Sequence, residues 1–301
     1  MGNITATEKR ARFAARIKNK GLVIAPGVFD LISARIADRL EFECLYATGY
    51  GMVASELGLP DAGLATYSDM VGRVSQIASM TNTPLVADGD TGYGGLLNVQ
   101  HTVRGYEAAG ACAIQIEDQE FPKKCGHMLG RKVIACEDMA AKIRVAAESR
   151  EDKHFLIIAR TDARTEHGLD EALRRAETYL RAGADMLFIE SPESIEEMRR
   201  IGRAFDVPLV ANMVEGGRTP MLSGAELEEI GYRLAIFPAL GFLAAGAAME
   251  RAWLNLKRDR ASTHPDVPLY PFHEFSALMG MGEIAEFDKH HAMTAVSFKS
   301  K

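Results

Sequence analysis

The stretch Ala113-Ile114-Gln115-Ile116-Glu117-Asp118 decides the fold, because a short apolar run ends there in two carboxylates. Short apolar runs bounded by polar residues are typical of strands buried on both faces of a parallel sheet. Similar runs recur along the chain and predict eight strands, at residues 22–25, 44–47, 84–87, 113–116, 155–159, 186–189, 208–211 and 234–237. Amphipathic patterns between them predict helices at residues 31–40, 67–81, 98–109, 136–149, 169–182, 194–204 and 223–230.

Eight strands alternating with helices predict an α/β fold, a (β/α)₈ barrel of the TIM type. Residues 1–258, with an N-terminal helix over 8–20, form this predicted catalytic domain. An open doubly wound sheet is the alternative, but a glycine-rich dinucleotide turn would then follow the first strand, where the chain has Ala25-Pro26-Gly27-Val28. Residues 259–301 are predicted as a linker and a helical arm that packs on a neighbouring subunit.

Composition excludes several classes of function. The chain has 301 residues, 47% hydrophobic and 25% charged, with a net charge of −6. No basic block indicates a nucleic-acid partner, and no apolar run has the length of a membrane span. The N-terminus lacks the apolar core of a signal peptide. The four cysteines, Cys44, Cys112, Cys125 and Cys136, lack metal-finger spacing, so we expect free thiols in a reducing cytoplasm.

Acidic side chains gather at neighbouring strand ends. Asp88 and Asp90 follow the third strand, Glu117 ends the fourth, and Asp61 lies in the connection after the second. Active sites of such barrels lie at the carboxyl ends of the strands, so we expect these four carboxylates to converge. Without a cation they would repel one another and some of their pKa values would rise. A hard divalent ion that takes one or two carboxylates directly and the rest through water removes this conflict.

The segment Lys123-Lys124-Cys125-Gly126-His127 follows the fourth strand and carries a cysteine among basic residues. Nearby positive charge favours a thiolate, so Cys125 is predicted to gain and lose a proton. Arg160, at the end of the fifth strand, can hold a substrate carboxylate, or pair with Glu190 or Glu117, or both. Asn212, after the seventh strand, can donate to a developing enolate oxygen, and His127 can do likewise.

Asp118 and Asp162 also lie at strand ends, but for these two carboxylates helix capping or loop solvation is the favoured interpretation.

Six motifs in order resemble the isocitrate lyase/phosphoenolpyruvate mutase superfamily over nearly the whole chain. They are Leu59-Pro60-Asp61, Asp88-Gly89-Asp90-Thr91-Gly92-Tyr93-Gly94, Ile116-Glu117-Asp118-Gln119, Lys123-Lys124-Cys125-Gly126-His127, Ala159-Arg160-Thr161-Asp162-Ala163 and Ala211-Asn212-Met213. The cysteine segment is similar to that of the carbon–carbon lyases in the superfamily, and mutases and phosphonopyruvate hydrolases lack it.

The resemblance implies a metal site and a carboxylate site. Mg²⁺, for which Mn²⁺ can substitute, would bind Asp88 directly, and water would link it to Asp61, Asp90 and Glu117. Thr48, Gly49 and Tyr50 occupy the positions that hold a pyruvate-type carboxylate. The resemblance also implies an eighth helix exchanged between subunits and a homotetramer, a dimer of helix-swapped dimers.

Within the superfamily, two local sequences bear on the substrate. Methylisocitrate lyases usually have three glycines where this chain has Gly49-Tyr50-Gly51, and a different sequence where it has Asn212-Met213-Val214-Glu215-Gly216-Gly217. The second sequence looks more like those of 2,3-dimethylmalate lyases and oxaloacetate hydrolases. Oxaloacetate hydrolases tend to carry a serine where this chain aligns Pro238, which offers no hydroxyl.

The leading expectation is therefore a Mg²⁺-dependent lyase that releases pyruvate from a 2-hydroxy dicarboxylate such as 2,3-dimethylmalate. Tyr46 is the candidate base, and Cys125 would protonate the departing carbon. Glu190 and Lys123 would tune the cysteine, and Arg160, Asn212 and the Gly126–His127 backbone would steady the enediolate. Cleavage of methylisocitrate, hydrolysis of oxaloacetate and a non-catalytic metabolite-binding barrel are the alternatives.

Overall fold

The computed structural model of the chain describes residues 4–262 and 267–298. The predicted proline-rich link starts at Thr263, so its first four residues lie outside the described part.

Twenty helices and strands follow one another in the described part. The first half contains α1 (Ala6–Lys18), β1 (Val23–Val28), α2 (Leu31–Arg39), β2 (Leu45–Ala47), α3 (Gly49–Leu57), α4 (Tyr67–Met80), β3 (Leu85–Asp88), α5 (Leu96–Ala108), β4 (Ala113–Glu117) and α6 (Cys136–Ser149). The second half contains β5 (Leu156–Thr161), α7 (Arg164–Arg181), β6 (Met186–Ile189), α8 (Ile195–Ala204), β7 (Leu209–Asn212), α9 (Gly224–Ile230), β8 (Leu234–Phe237), α10 (Leu240–Asp259), α11 (Phe272–Leu278) and α12 (Met281–Phe298).

The eight strands form a closed parallel barrel in chain order, and β1 pairs with β8 to complete it. This confirms the predicted α/β fold and excludes the open sheet. Several strands run one or two residues further than predicted, because their backbones continue the ladder: Asp88 pairs with Gln115, Glu117 with Arg160, and Asn212 with Ile236. These site residues therefore stand on strands rather than on loops.

Apolar side chains pack on both faces of the strands, in two layers. One lies between the barrel and its helices, and the other fills the barrel interior. The inner layer includes Phe13 and Ile17 of α1, both almost fully buried, together with Val23 and Cys44 at the amino-terminal ends of β1 and β2. Burial of such side chains contributes about 1.5 to 3 kcal/mol each, which fixes α1 against that end. The carboxyl-terminal end of the barrel, which α1 does not cover, is where a site can form.

Two helical regions differ from expectation. Residues 48–68 were predicted as one long connection, but they contain α3, whose Met52 and Val53 are buried. Gly49 and Gly51 are poor helix formers and concealed it. The C-terminal tail was predicted as one helix over 272–285, but it forms α11 and α12, with Gly280 between them at a φ of 96°.

Contacts divide the chain into two compact units, Met1–Ala244 and Ala245–Lys301. The first unit contains the barrel. The second contains most of α10 with α11 and α12. Within α10, which is described throughout, Asn255 is the one buried residue, and Met249, Trp253 and Leu254 are exposed. The predicted domain boundary after residue 258 stays a prediction. None of the described helices is both long enough and apolar enough to cross a membrane.

Candidate active site

A small cavity of about 60 Å³ lies at the carboxyl-terminal end of the barrel. Twelve of the predicted site residues line it, namely Tyr46, Thr48, Tyr50, Asp61, Asp88, Cys125, Gly126, His127, Arg160, Glu190, Asn212 and Pro238. Gly49, Asp90, Glu117 and Lys123 are not part of the lining. Val214, from the predicted substrate-determining stretch after Asn212, also lines it, and the structure adds Phe188, Ile236, Ala239 and Phe242. The cavity therefore combines charged groups from several strand ends with apolar side chains.

The four predicted metal-binding carboxylates lie around the side chain of Lys123, and against the effect of burial all four raise its pKa. The ammonium group of Lys123, itself buried, forms ion pairs with both Asp61 and Asp90. Asp88 accepts hydrogen bonds from the Asp90 backbone N–H at 3.0 Å and from Gln115 Nε2 at 3.3 Å. In the described part of the chain, no three acid, histidine or cysteine side chains form a preassembled metal cluster. Lys123 therefore supplies positive charge that the sequence analysis assigned to a metal ion.

The acids nevertheless fit a hard cation. Glu117 is buried, and its Oε1 has no hydrogen-bond partner. Burial raises the pKa of Glu117 well above its ordinary value, despite the opposing charge of Arg160. Burial likewise raises the pKa of Asp90 to about 6 against the effect of Lys123, and Asp90 holds a left-handed φ of 47°. A divalent cation stabilises the ionised form of such buried carboxyl groups, and oxygen is the ligand type that Mg²⁺ prefers.

Gly49 allows Asp88 to occupy its position. A Cβ atom at Gly49 would lie 2.5 Å from Asp88 Oδ2, closer than side chains approach one another. Thr48 is the N-cap residue of α3, so the first backbone N–H groups of that helix start beside Asp88. Unpaired N–H groups at a helix start attract carboxylates.

The surroundings of Cys125 favour the neutral thiol, the form that donates a proton. Burial raises the pKa of Cys125. The two neighbouring lysines are engaged elsewhere, Lys123 with Asp61 and Asp90, and Lys124 with the carbonyl of Gly130 at 3.1 Å. A protonated thiol inside the cavity is suited to donating a proton.

A network of ion pairs and hydrogen bonds lies beside the thiol of Cys125. Arg160 pairs with Glu117 at 3.2 Å and with Glu190 at 3.4 Å, so both ion pairs considered for it are present. Asn212 Nδ2 donates to Glu190 Oε2 at 3.0 Å. The backbone N–H of Arg218 donates to His127 Nδ1 at 3.1 Å, so the proton of the neutral ring is assigned to Nε2. Burial lowers the pKa of His127, which keeps the ring neutral.

Tyr46 stands in an environment that disfavours its predicted role as a base. The phenol is buried and donates to Gln115 Oε1 at 2.9 Å. Burial, with the nearby charge of Asp88, raises the pKa of Tyr46 well above its ordinary value. A phenol that holds its proton this firmly is a hydrogen-bond donor at neutral pH.

The apolar part of the cavity includes aromatic and proline residues beside aliphatic ones. Tyr50, which is 40% exposed, packs on Phe242 at the start of α10 with ring centroids 5.1 Å apart. Phe242 also meets Phe29 edge-on at 6.3 Å. The backbone of Pro238 packs so closely on Gly27 that a Cβ there would lie 2.4 Å from the Pro238 carbonyl oxygen. The sequence analysis missed Phe242, since it belongs to a helix rather than to a strand end.

The interpretation of Asp118 and Asp162 as capping or solvated residues is wrong. Both carboxylates are buried. Asp118 accepts hydrogen bonds from Thr161 Oγ1 at 2.7 Å and from Tyr179 at 2.8 Å, and Asp162 binds Arg160 through both of its oxygens. The location of Asp162 two residues after Arg160 was the available signal.

The fold and this cavity define an α/β barrel with buried acids, a buried arginine and a thiol at the carboxyl-terminal ends of its strands. The family model described as phosphoenolpyruvate phosphomutase matches residues 13–257. The chain belongs to the phosphoenolpyruvate mutase/isocitrate lyase superfamily. This confirms the predicted superfamily and the prediction of an enzyme related to its lyases.

Two curated relatives are lyases. The 2,3-dimethylmalate lyase of Eubacterium barkeri is 46% identical over 282 residues, which cover 94% of this chain and 98% of the relative. The 2-methylisocitrate lyase of Aeropyrum pernix is 42% identical over 274 residues, covering 90% of this chain and 87% of the relative.

Two solved structures add ligands to the comparison. Oxaloacetate acetylhydrolase in complex with 3,3-difluorooxalacetate has a TM-score of 0.90 at 32% identity, covering 95% of this chain and 98% of that chain. Phosphonopyruvate hydrolase in complex with oxalate and Mg²⁺ has a TM-score of 0.83 at 28% identity, covering 95% and 99%.

Proposed function

We propose that the protein is a carbon–carbon lyase that cleaves 2,3-dimethylmalate, a 2-hydroxy dicarboxylate, to pyruvate and propionate. The observation that carries this proposal is the mixed lining of the cavity, where Arg160, Asn212 and His127 meet the apolar pair Tyr50 and Phe242. The polar groups suit the substrate carboxylates, and the apolar pair suits a short methyl-bearing fragment. The 46% identity to the 2,3-dimethylmalate lyase of Eubacterium barkeri supports the same substrate.

Carboxylate binding falls to two groups of donors. Arg160 donates from Nε and Nη2 to Asp162, and it pairs through Nη2 with Glu190 and through Nη1 with Glu117. Of its five N–H groups, the second hydrogen on Nη1 is therefore the donor left for a substrate carboxylate. The N–H groups at the start of α3, after Thr48, would hold the pyruvate carboxylate. Asn212 Nδ2 donates one hydrogen to Glu190 and lies 3.3 Å from His127 Nε2, so these two nitrogens form an adjacent pair of donors. The second hydrogen of Asn212 Nδ2 and the Nε2–H of His127 would donate to the oxygens of the departing fragment.

Cleavage breaks the bond between C2, the future keto carbon of pyruvate, and C3 of the propionate fragment. The hydroxyl proton passes to a base, and the bonding electron pair moves to C3 as the enediolate of propionate. Cys125 then donates its thiol proton to C3, and the base returns a proton to the sulfur. Burial keeps this thiol protonated before the bond breaks, which is the state the reaction requires. Glu190 holds Asn212 and pairs with Arg160, so it positions both donors.

Asp88 would hold Mg²⁺, or Mn²⁺ in its place, and Asp61, Asp90 and Glu117 would act through water. The unpartnered Glu117 Oε1 and the raised pKa values of Glu117 and Asp90 support this assignment. When bound, the ion would supply Lewis-acid polarisation of the oxygen on C2. Lys123, already paired with Asp61 and Asp90, would hold those two acids and the loop of Cys125 in place.

Two other reactions remain as second candidates. The likeness to 2-methylisocitrate lyase favours a tricarboxylate, and the likeness to oxaloacetate acetylhydrolase favours hydrolysis of oxaloacetate. Tyr50 and Phe242 narrow the space for a second, longer carboxylate arm, and Pro238 offers no hydroxyl to a hydrated oxaloacetate. A non-catalytic barrel is disfavoured, because Cys125, Arg160 and Asn212 all line the same cavity.

The experiment is a comparison of kcat/KM for 2,3-dimethylmalate, 2-methylisocitrate and oxaloacetate on one preparation with Mg²⁺, scoring pyruvate and oxalate. We expect 2,3-dimethylmalate to be preferred by at least about tenfold, since a mismatched apolar contact typically costs 10- to 200-fold. A tenfold preference for methylisocitrate would contradict the argument from Tyr50. Oxalate produced at a comparable rate would contradict the argument from Pro238.

We also propose a homotetramer, a dimer of dimers that exchange α10, and a cytoplasmic location. The exposed apolar residues Met249, Trp253 and Leu254 of α10 support an intersubunit contact. The four cysteines are free thiols, as a reducing compartment would keep them.

A further inference from the structure

Asp162 is a buried carboxylate that binds two arginine side chains from different parts of the chain. It stands directly after β5, and its side chain is fully buried. Arg160 donates to it in a fork, from Nε to Oδ2 and from Nη2 to Oδ1, both at 2.9 Å. Arg131 donates from Nη1 to the same Oδ1 at 2.7 Å. A two-bond fork sets both the direction and the plane of a guanidinium group.

Arg131 comes from the segment after Cys125, and its side chain is also fully buried. Besides Asp162, its Nη1 donates to the carbonyl of Gly126, and its Nη2 donates to Thr165 Oγ1 at the start of α7. The same Gly126 carbonyl accepts a bond from Ser191 Oγ at 2.9 Å. Two independent donors therefore hold the backbone between Cys125 and His127.

Gly126 is pressed against the groups that Asp162 orients. A Cβ atom there would lie 2.4 Å from Arg160 Nη2 and 2.6 Å from Glu190 Oε2. The segment and the Arg160 guanidinium are therefore in close contact, and a side chain at position 126 would not fit between them. If Arg160 turned, Gly126 would have to move, and the thiol of Cys125 would move with it.

We propose that Arg131 and Asp162 are positioning residues that fasten the Cys125 segment and the Arg160 guanidinium to one shared carboxylate. Arg131 holds the segment in its closed position through the Gly126 carbonyl. Because Asp162 binds both Arg131 and Arg160, the closed position of the segment and the orientation of the Arg160 guanidinium depend on each other. The part of this inference that concerns turnover rests on the proposed lyase function. The part that concerns closure does not, because it is a statement about the free protein.

Thiol accessibility tests closure without any substrate. Cys44, Cys112 and Cys136 are buried, so Cys125 is the partly accessible cysteine, and mass spectrometry can locate the label. We would treat Arg131→Met, Arg131→Lys and the wild type with a small alkylating agent, iodoacetamide, and with a bulky maleimide. A change in thiol acidity alone would scale both rates alike, whereas opening of the segment favours the bulky reagent. Arg181→Met is the matched control, because Arg181 is an exposed partner of Glu177 on α7.

We expect Arg131→Met to raise the maleimide rate at least about tenfold and to raise it more than the iodoacetamide rate. Arg131→Lys, which keeps one donor, should recover part of the protection, and Arg181→Met should match the wild type. Turnover of 2,3-dimethylmalate by Arg131→Met should fall about 100-fold, mainly in kcat, as for a misplaced catalytic group. Thr165→Val, which removes one acceptor of Arg131, should give a smaller change of the same kind, and it serves if Arg131→Met does not fold.

Unchanged maleimide and iodoacetamide rates in a folded Arg131 or Thr165 variant, with only a lower Tm, would overturn the inference. Increased labelling together with no cleavage of any of the three acids by the wild type would leave the fastening intact and refute the lyase function instead.

Discussion

Cys125 lies between basic residues in the sequence, yet both neighbouring lysines bind other groups. Burial therefore has the largest effect on the pKa of the thiol and raises it. Adjacency along the chain predicts nearby charge but not the direction of a side chain, and the two lysines expected beside the thiol point to other partners. The same limit applies to Asp162. Its place after β5 and its pairing with Arg160 two residues earlier could be predicted, but its second partner, Arg131, depends on the path of the segment after β4.

The pKa of Cys125 leads to a test of the free enzyme. Because burial raises this pKa, the thiol should stay protonated through neutral pH and lose its proton only above the ordinary thiol value. Alkylation by iodoacetamide should therefore be slow at pH 7 and rise at alkaline pH, with a midpoint above that of a denatured control. A midpoint below neutral pH would restore the thiolate interpretation.

Replacement of Cys125 by serine tests its role as the proton donor. Cys125→Ser keeps the size of the side chain, so fold and substrate binding should persist. A hydroxyl is a much weaker acid than a thiol, so kcat should fall by roughly two or more orders of magnitude, as when a positioned acid is lost. Kinetics at saturating 2,3-dimethylmalate measure this, with Cys136→Ser on α6 as the control. A nearly normal rate would assign the proton to another group.

Among the elements, the eight strands were predictable because each is a short apolar run that the barrel buries on both faces. The strand ends therefore indicated Asp88, Arg160 and Asn212, which line one cavity, and Glu117, which pairs with Arg160. Side chains that reach the cavity from helices were not predictable in this way. Phe242 depends on how the chain turns from β8 into α10, and α3 was concealed by its glycines.

The acids at the ends of β3 and β4 lead to a prediction about metal. Asp88→Ala should abolish activity, and excess chelator should do the same to the wild type, because a hard cation is needed to hold adjacent substrate oxygens. Mg²⁺ or Mn²⁺ added back should restore the chelated wild type but not the variant. Calorimetric titration of Mg²⁺ into both proteins gives the independent readout. Full activity in excess chelator would refute the metal assignment.

The aromatic pair formed by α3 and α10 leads to a prediction about specificity. Tyr50→Ala or Phe242→Ala should widen the apolar side of the cavity, because their rings pack on each other at 5.1 Å. The ratio of kcat/KM for methylisocitrate to that for 2,3-dimethylmalate should rise about tenfold, within the range typical of apolar contacts. Phe287→Ala, an exposed aromatic on α12, is the control. An unchanged ratio in both site variants would mean that the pair does not select the substrate.

At the scale of the whole molecule, the candidate site is formed within one chain, whereas α10 leaves apolar side chains exposed. The described barrel closes with all eight strands and brings the candidate residues together in a single chain. In α10, by contrast, Met249, Trp253 and Leu254 are exposed and share one face of the helix with Gly246, Glu250 and Lys257. An exposed apolar surface of this kind marks an interaction site.

The last prediction concerns the assembly. If α10 is the exchanged helix of a dimer, Trp253, which is 64% exposed in the single chain, becomes part of the buried contact. Trp253→Glu would then place a charge in an apolar interface, and burying an unpaired charge there is unfavourable. Light scattering coupled to gel filtration should show a tetramer for the wild type and a smaller, less stable species for the variant. Leu97→Glu, on the exposed side of α5, controls for added charge at another exposed leucine. A wild-type monomer, or a Trp253→Glu protein that keeps the wild-type mass, would leave α10 without the proposed role.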